Sequence, residues 1–234
     1  MEARSRFLLA LLVTWLVCSP ATLKANPAPI PMAGGSVAAQ SPHKTVRMDA
    51  EDVTIRLGRG AYTVNAVYRM VNTGDATSEW VGFPRGLERE RWKGTEFPEF
   101  IQFHVWIDGK KIRFTKEGKQ WLAARVTFPG NATTIIRVMY EAHYSDRYLW
   151  KGVRYLDYIV GTGSLWKDSI AKAVFTVDAS ETGGTKGLYI ELNAPQCRKL
   201  SSEQVVRFDV EDFKPDPYAT LRIEFGNRRK VIMR

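Results

Sequence analysis

The chain has 234 residues, 34 basic and 25 acidic, with a formal net charge of +9 and two cysteines. That length suffices for a core that buries roughly 70% of the unfolded surface. Two cysteines, one of them Cys18 in an N-terminal apolar run, exclude a disulfide framework.

Residues 1–25 read as a signal peptide. Arg4 and Arg6 form its positive start, Phe7 to Val17 is apolar apart from Thr14, and Cys18 to Ala21 begin the polar end. The run is shorter than the ~20 apolar residues of a spanning helix, and Val17 is large for the position before a lipid-bearing cysteine. Cleavage after Ala25 or after Ala21 both fit, and either predicts an exported chain, periplasmic or extracellular, with no transmembrane helix once mature. Residues 1–25 hold three of the 34 basic and one of the 25 acidic residues, so residues 26–234 carry a net +7. Residues 26–44, rich in Pro, Ala, Gly and Ser, read as a flexible linker.

From Thr45 the text turns to strands. Val46 to Met48 and Asp52 to Leu57 are short candidates; Tyr62, Val64, Ala66, Tyr68 and Met70 then alternate with more polar neighbours up to the turn at Asn72 to Asp75. Glu79 to Phe83 follows, stopped by Pro84, and Arg85 to Lys93 is a charged connection. Ile101, Phe103, Val105 and Ile107 predict one face of a strand, and Gln102, His104 and Trp106 the other. Asp108-Gly109 predicts a hairpin returning through Lys111 to Phe114. Trp121 to Phe128 and Thr133 to Tyr144 continue the pattern, the second with Thr134, Ile136, Val138, Tyr140 and Ala142 on one face. Arg147 to Lys151 breaks the alternation and marks a boundary. Residues 45–146 then form a first sandwich-like lobe and 147–234 a second β-rich lobe.

The central corner runs from Arg154 to Val177. Strand-like residues flank Gly161-Thr-Gly163-Ser-Leu-Trp166, where the glycines allow positive φ or close approach and Trp166 supplies an apolar plug. Gly161, Gly163 and Trp166 are therefore read as structural. The spacing is wrong for a phosphate loop or a dinucleotide fingerprint. Ser164 to Lys167 and Ser169 to Lys172 each spell S-x-x-K, but the partner motifs of a serine acyl-enzyme are missing. Leu188 to Leu192, Val205 to Val210 and Thr220 to Phe225 are the last strands.

Chemistry is sparse. His43, His104 and His143 lie in no metal-ligand spacing, and Cys197 has no catalytic signature beside it, so no metal and no cofactor is expected. Asp157, Asp168, Glu191, Asp209, Glu211 and Asp212 could hold a glycosidase pair only if the fold brought two together. The one face with recognisable binding chemistry is Gln102, His104 and Trp106: an indole between an amide and an imidazole suits stacking on a sugar while bonding its hydroxyls. The dispersed positive charge of an exported chain points to anionic lipid or acidic envelope polymers rather than nucleic acid.

Several blocks, in order, resemble a family of bacterial exported domains of unknown function: Glu51 to Arg56, Tyr68 to Gly74, Val81 to Pro84, Phe103 to Lys110, Tyr158 to Trp166 and Phe208 to Pro215. The resemblance spans about 46–225 and departs at Lys167-Asp168, where a glycine is expected. It implies a β-rich exported fold and says nothing of activity. Asn72 and Phe83-Pro84 are also similar to VIT interaction domains, over the first lobe alone. The sequence thus predicts an all-β chain of one or two sandwich-like lobes. Its expected role is a non-catalytic envelope module whose partner is a protein or polysaccharide; the alternative is a carbohydrate-binding or glycoside-active protein using Gln102, His104 and Trp106.

Overall fold

The computed structural model describes residues 37–39, 42–84, 100–117, 121–146, 153–194 and 197–225. The signal peptide, most of the linker, the Arg85 to Lys93 connection and the break at Arg147 to Lys151 lie outside the described residues. These residues form sixteen strands in chain order: β1 (Ala38–Ala39), β2 (Val46–Leu57), β3 (Ala61–Asn72), β4 (Thr77–Pro84), β5 (Phe100–Ile107), β6 (Lys110–Ile112), β7 (Thr115–Glu117), β8 (Trp121–Phe128), β9 (Ala132–His143), β10 (Ser145–Asp146), β11 (Arg154–Ile159), β12 (Ile170–Asp178), β13 (Tyr189–Leu192), β14 (Arg198–Ser201), β15 (Val205–Phe213) and β16 (Thr220–Phe225). The fold is all-β.

Eight strands make one sheet in the order β14-β15-β12-β2-β3-β9-β5-β6, and two four-stranded sheets, β1-β4-β8-β7 and β10-β11-β16-β13, cover its inner face. Alternation explains the layering. In β3, Tyr62, Val64, Ala66, Tyr68 and Met70 are all buried, while Thr63 and Arg69 between them are exposed. Phe83 of β4 packs on Tyr140 of β9 (ring centroids 5.3 Å apart), and Tyr158 of β11 on Phe175 of β12 (6.2 Å), so both small sheets rest on the large one.

Pairing crosses residue 147. β2 and β12 run parallel from Ala50–Lys172 to Arg56–Asp178, and strands from both sides of the expected boundary share one hydrophobic core. Parallel neighbours so distant in sequence need a long crossover, here the whole run from β3 to β11.

Three local expectations need correction. The two short candidates at 46–57 are one strand with a register shift between Met48 and Ala50, where Asp49 receives the guanidinium groups of Arg47 (2.7 Å) and Arg69. That pairing lets a polar stretch continue the ladder. In β5 the register shifts between Phe100 and Gln102, which turns Ile101 out to 49% exposure and packs Phe100 beside Phe83, Phe103 and Tyr140 instead. The end of the expected linker is not free: Ala38 and Ala39 pair with Gly82 and Val81 of β4, and Val37 is fully buried. Three small apolar residues are enough to add an edge strand but too few to show a period.

Candidate functional site

The central corner anchors the fold. Gly161 to Leu165 form a 3-10 turn, and the amides of Val160 and Gly161 both donate to the Ala219 carbonyl at 2.9 Å. A Cβ on Gly161 would lie 2.1 Å from the Pro217 carbonyl oxygen, and one on Gly163 would lie 3.1 Å from Ile170 Cδ1. Both glycines serve close approach, not a left-handed turn. Trp166 is 2% exposed, its Nε1–H donates to the Val37 carbonyl (2.9 Å), and its ring meets the edge of Phe128. Lys214 Nζ donates to the carbonyls of Trp166 (2.8 Å) and Asp168 (2.6 Å), closing the clasp from the far end.

Neither S-x-x-K stretch yields a serine–lysine pair. Ser169 Oγ bonds Asp212, Lys167 Nζ reaches Thr73 Oγ1 (3.3 Å), and Lys172 stands opposite Glu211 in the ladder. Three of the candidate carboxylates are held by close partners, Asp157 by both arms of Arg222 (2.8 and 3.0 Å), Asp209 by Arg207 and Glu191 by Tyr189, whereas Asp168 and Glu211 are exposed. His104 stands opposite Met139 and His143 opposite Ala61, so the two imidazoles are not cross-strand partners. No group of three His, Cys, Asp or Glu among the described residues could hold a metal ion. Cys197 is a free, half-buried thiol that burial, and Asp209 nearby, push above its usual value.

A polar cluster unread from the sequence sits in the core. Glu51 is 1% exposed and accepts from Tyr158 Oη (3.2 Å), whose oxygen lies 2.8 Å from that of Tyr68. Burial holds both phenols well above the ordinary tyrosine value, and the Glu51 charge adds to this. The signal was available: Glu51 shares the inward face of β2 with Val53, Ile55 and Leu57.

The outer face of the eight-stranded sheet is where binding chemistry gathers. Gln102, His104 and Trp106 project from β5 onto this face; Gln102 Nε2 donates to Glu141 Oε2 (2.8 Å), and the His104 and Trp106 rings are 5.9 Å apart. Trp106 stands between its two cross-strand partners, Lys111 on β6 and Arg137 on β9. Lys111 Nζ lies 6.0 Å, and Arg137 Cζ 5.4 Å, from the indole. Because β6 and β9 flank β5 on opposite sides, the two cations approach the indole from opposite sides. Asn65 Oδ1 accepts from Arg137 Nε (2.9 Å) and fixes that arm. Arg113, just past the end of β6, is exposed, as are Lys111 and Arg137. Of the nearby acids, Glu141 is bonded to Gln102, and Asp108 accepts from the Ile135 amide (2.7 Å). Among the described residues, neither carboxylate forms an ion pair with Lys111, Arg113 or Arg137, and three cations stand around the indole.

Comparison with protein-family profiles finds no match, and comparison with curated proteins finds none either. Among solved structures, a Legionella pneumophila protein provisionally described as nutrient-binding superposes with a TM-score of 0.65 over 84% of this chain and 71% of that one, at 16% identity. The two share a fold. An M1 zinc metallopeptidase from Deinococcus radiodurans (9% identity, TM-score 0.43) aligns with 78% of this chain and 43% of its own. Leukotriene A4 hydrolase from Saccharomyces cerevisiae (12%, 0.43) aligns with 80% and 30%. Both scores fall below the level at which a common fold follows. No helix among the described residues is long and apolar enough to cross a membrane.

Proposed function

We propose that this chain is an exported, non-catalytic binding module of the bacterial cell envelope, related to the exported domains whose sequence blocks it resembles, and that the outer face at β5, β6 and β9 is its contact surface. The observation that carries the reading is Trp106 held between Lys111 and Arg137 on a face that no strand among the described residues covers. Of these residues, Trp and Arg are the types enriched where proteins bind partners. The solved nutrient-binding relative supports a binding role only through its fold.

The same geometry argues against simple sugar stacking. A sugar needs a bare indole face, and here a cation lies toward each side. The face suits a partner that brings negative charge to Lys111, Arg113 and Arg137.

The test is capture from an envelope extract on immobilised residues 26–234. Lys111→Glu with Arg137→Glu should abolish a capture that 300 mM salt also weakens, while Lys172→Glu with Arg198→Glu, at the far end of the same sheet, should leave it intact. Equal capture by both double variants would overturn the reading.

A further inference from the structure

We infer that β6 is a docking edge at which an extended acidic peptide segment adds a ninth strand to the large sheet; this rests on the proposed contact surface and names its partner. β6 ends the sheet order, so its outer side carries no strand among the described residues, and Lys110 and Lys111 are exposed. The hairpin is tied to β9. Asp108 and Gly109 both have positive φ (48° and 79°), as the tight two-residue turn requires, and Asp108 is bonded to the Ile135 backbone through both its amide (2.9 Å) and its carboxylate (2.7 Å).

The register then dictates what faces a newcomer. Ile107–Lys110 and Val105–Ile112 are paired, and in a two-residue hairpin the pair flanking the turn exchanges hydrogen bonds. Lys110 and Ile112 thus spend their backbone groups on β5, and Lys111 directs its own outward, toward an incoming strand. On the outer face an added strand would meet Lys111, with Arg113 just past the end of β6; on the inner face, between them, it would meet Ile112. Beside Ile112 lies a depression of about 350 Å³ lined by Phe103, His104, Lys111, Ile112, Arg113 and Phe114. The matching segment is acid, apolar, acid in extended conformation. Each carboxylate then stands directly opposite a cation and the apolar side chain enters the depression.

Lysines on a short edge strand also have a protective reading, since they discourage edge-to-edge pairing. The two readings differ in what is repelled. A second copy of this chain presents Lys111 and Arg113 against themselves and is disfavoured, whereas an acidic strand is selected.

The probe is a fluorescent peptide of about seven residues, Ser-Thr-Glu-Val-Glu-Thr-Ser, titrated by anisotropy against residues 26–234. Replacing both glutamates by glutamine should weaken binding about three- to thirtyfold, as two exposed cross-strand charge pairs allow. N-methylation at both glutamates, which blocks the ladder but keeps the charge, should abolish it. Lys111→Glu with Arg113→Glu should reverse the preference toward Ser-Thr-Lys-Val-Lys-Thr-Ser, with an unchanged melting curve showing that the fold is kept. If the N-methylated peptide binds as well as the parent, or the acidic peptide fails to bind while the wild type still captures an envelope component through Lys111 and Arg137, strand addition is wrong and the contact surface stands. If that capture is itself independent of Lys111 and Arg137, the contact surface falls and the inference falls with it.

Discussion

Trp166 tests how the N-terminal strap and the central corner hold the fold together. Its side chain is almost fully buried, so Trp166→Ala removes a large apolar volume and should cost about 3–5 kcal/mol. Trp166→Phe keeps most of the area but deletes the Nε1–H that meets the Val37 carbonyl at 2.9 Å, leaving a buried acceptor unanswered. That should cost about 1–3 kcal/mol. At roughly 2–4 °C per kcal/mol for a chain of this size, the alanine variant should melt about 6–20 °C lower and the phenylalanine variant about 2–12 °C lower. Thermal unfolding followed by near-UV circular dichroism measures both shifts, and urea unfolding the free energies. A second arm makes the reasoning specific: in a chain lacking residues 26–40 the Val37 carbonyl is gone, so the hydrogen-bond part of the Trp166→Phe cost should disappear. If that substitution costs the same with and without the strap, or if truncation leaves stability unchanged, the strap is no part of the fold.

Other consequences follow from single contacts. His43 Nδ1 accepts from the amides of Thr45 (3.2 Å) and Val46 (2.9 Å), and burial lowers its pKa, with Glu79 opposing in part. The folded state therefore binds fewer protons than the unfolded one, so this contribution is present above the unfolded value of about 6.5 and is lost as pH falls below it; urea midpoints at pH 7.5 and 5.5 should diverge for wild type and converge for His43→Asn. Gly161→Ala should cost about 3 kcal/mol or more, because its Cβ meets the Pro217 carbonyl at 2.1 Å, whereas Gly60→Ala, with nothing within 4 Å, should change stability by less than about 0.5 kcal/mol. Tyr158→Phe removes a donor to buried Glu51 and should cost about 1–3 kcal/mol in the same assay. Lys111→Glu, on an exposed position, should shift stability by no more than about 0.5 kcal/mol while reducing capture.

Local alternation carried the sequence reading far, and failed where pairing partners are distant. β3 and β9 were legible because every second residue is apolar and both strands are central, with one face covered. The β2 bulge was not, since Asp49 looks like a break until Arg69, twenty residues on, pairs with it. Ile101 looks inward by counting, and only the shifted register of β5 on β9 shows it outside. The crossing of the expected boundary at 147 depends on β2 meeting β12, a contact no local pattern encodes. At the candidate surface, Lys111 opposite Trp106 follows from the two-residue turn alone, but Arg137 on the other side requires knowing that β9 is the neighbour of β5. Sugar stacking on Trp106 needs a bare indole, and Arg137, as a second cation beside Lys111, changes what that face offers.

The most direct test of the proposed surface is hydrogen exchange of the chain alone and bound to the envelope component it captures. The account predicts added protection confined to 100–114 and 132–143, covering β5, β6 and β9, with the outer faces of the two small sheets unchanged. Protection on β13 or β16, with none around Trp106, would contradict it.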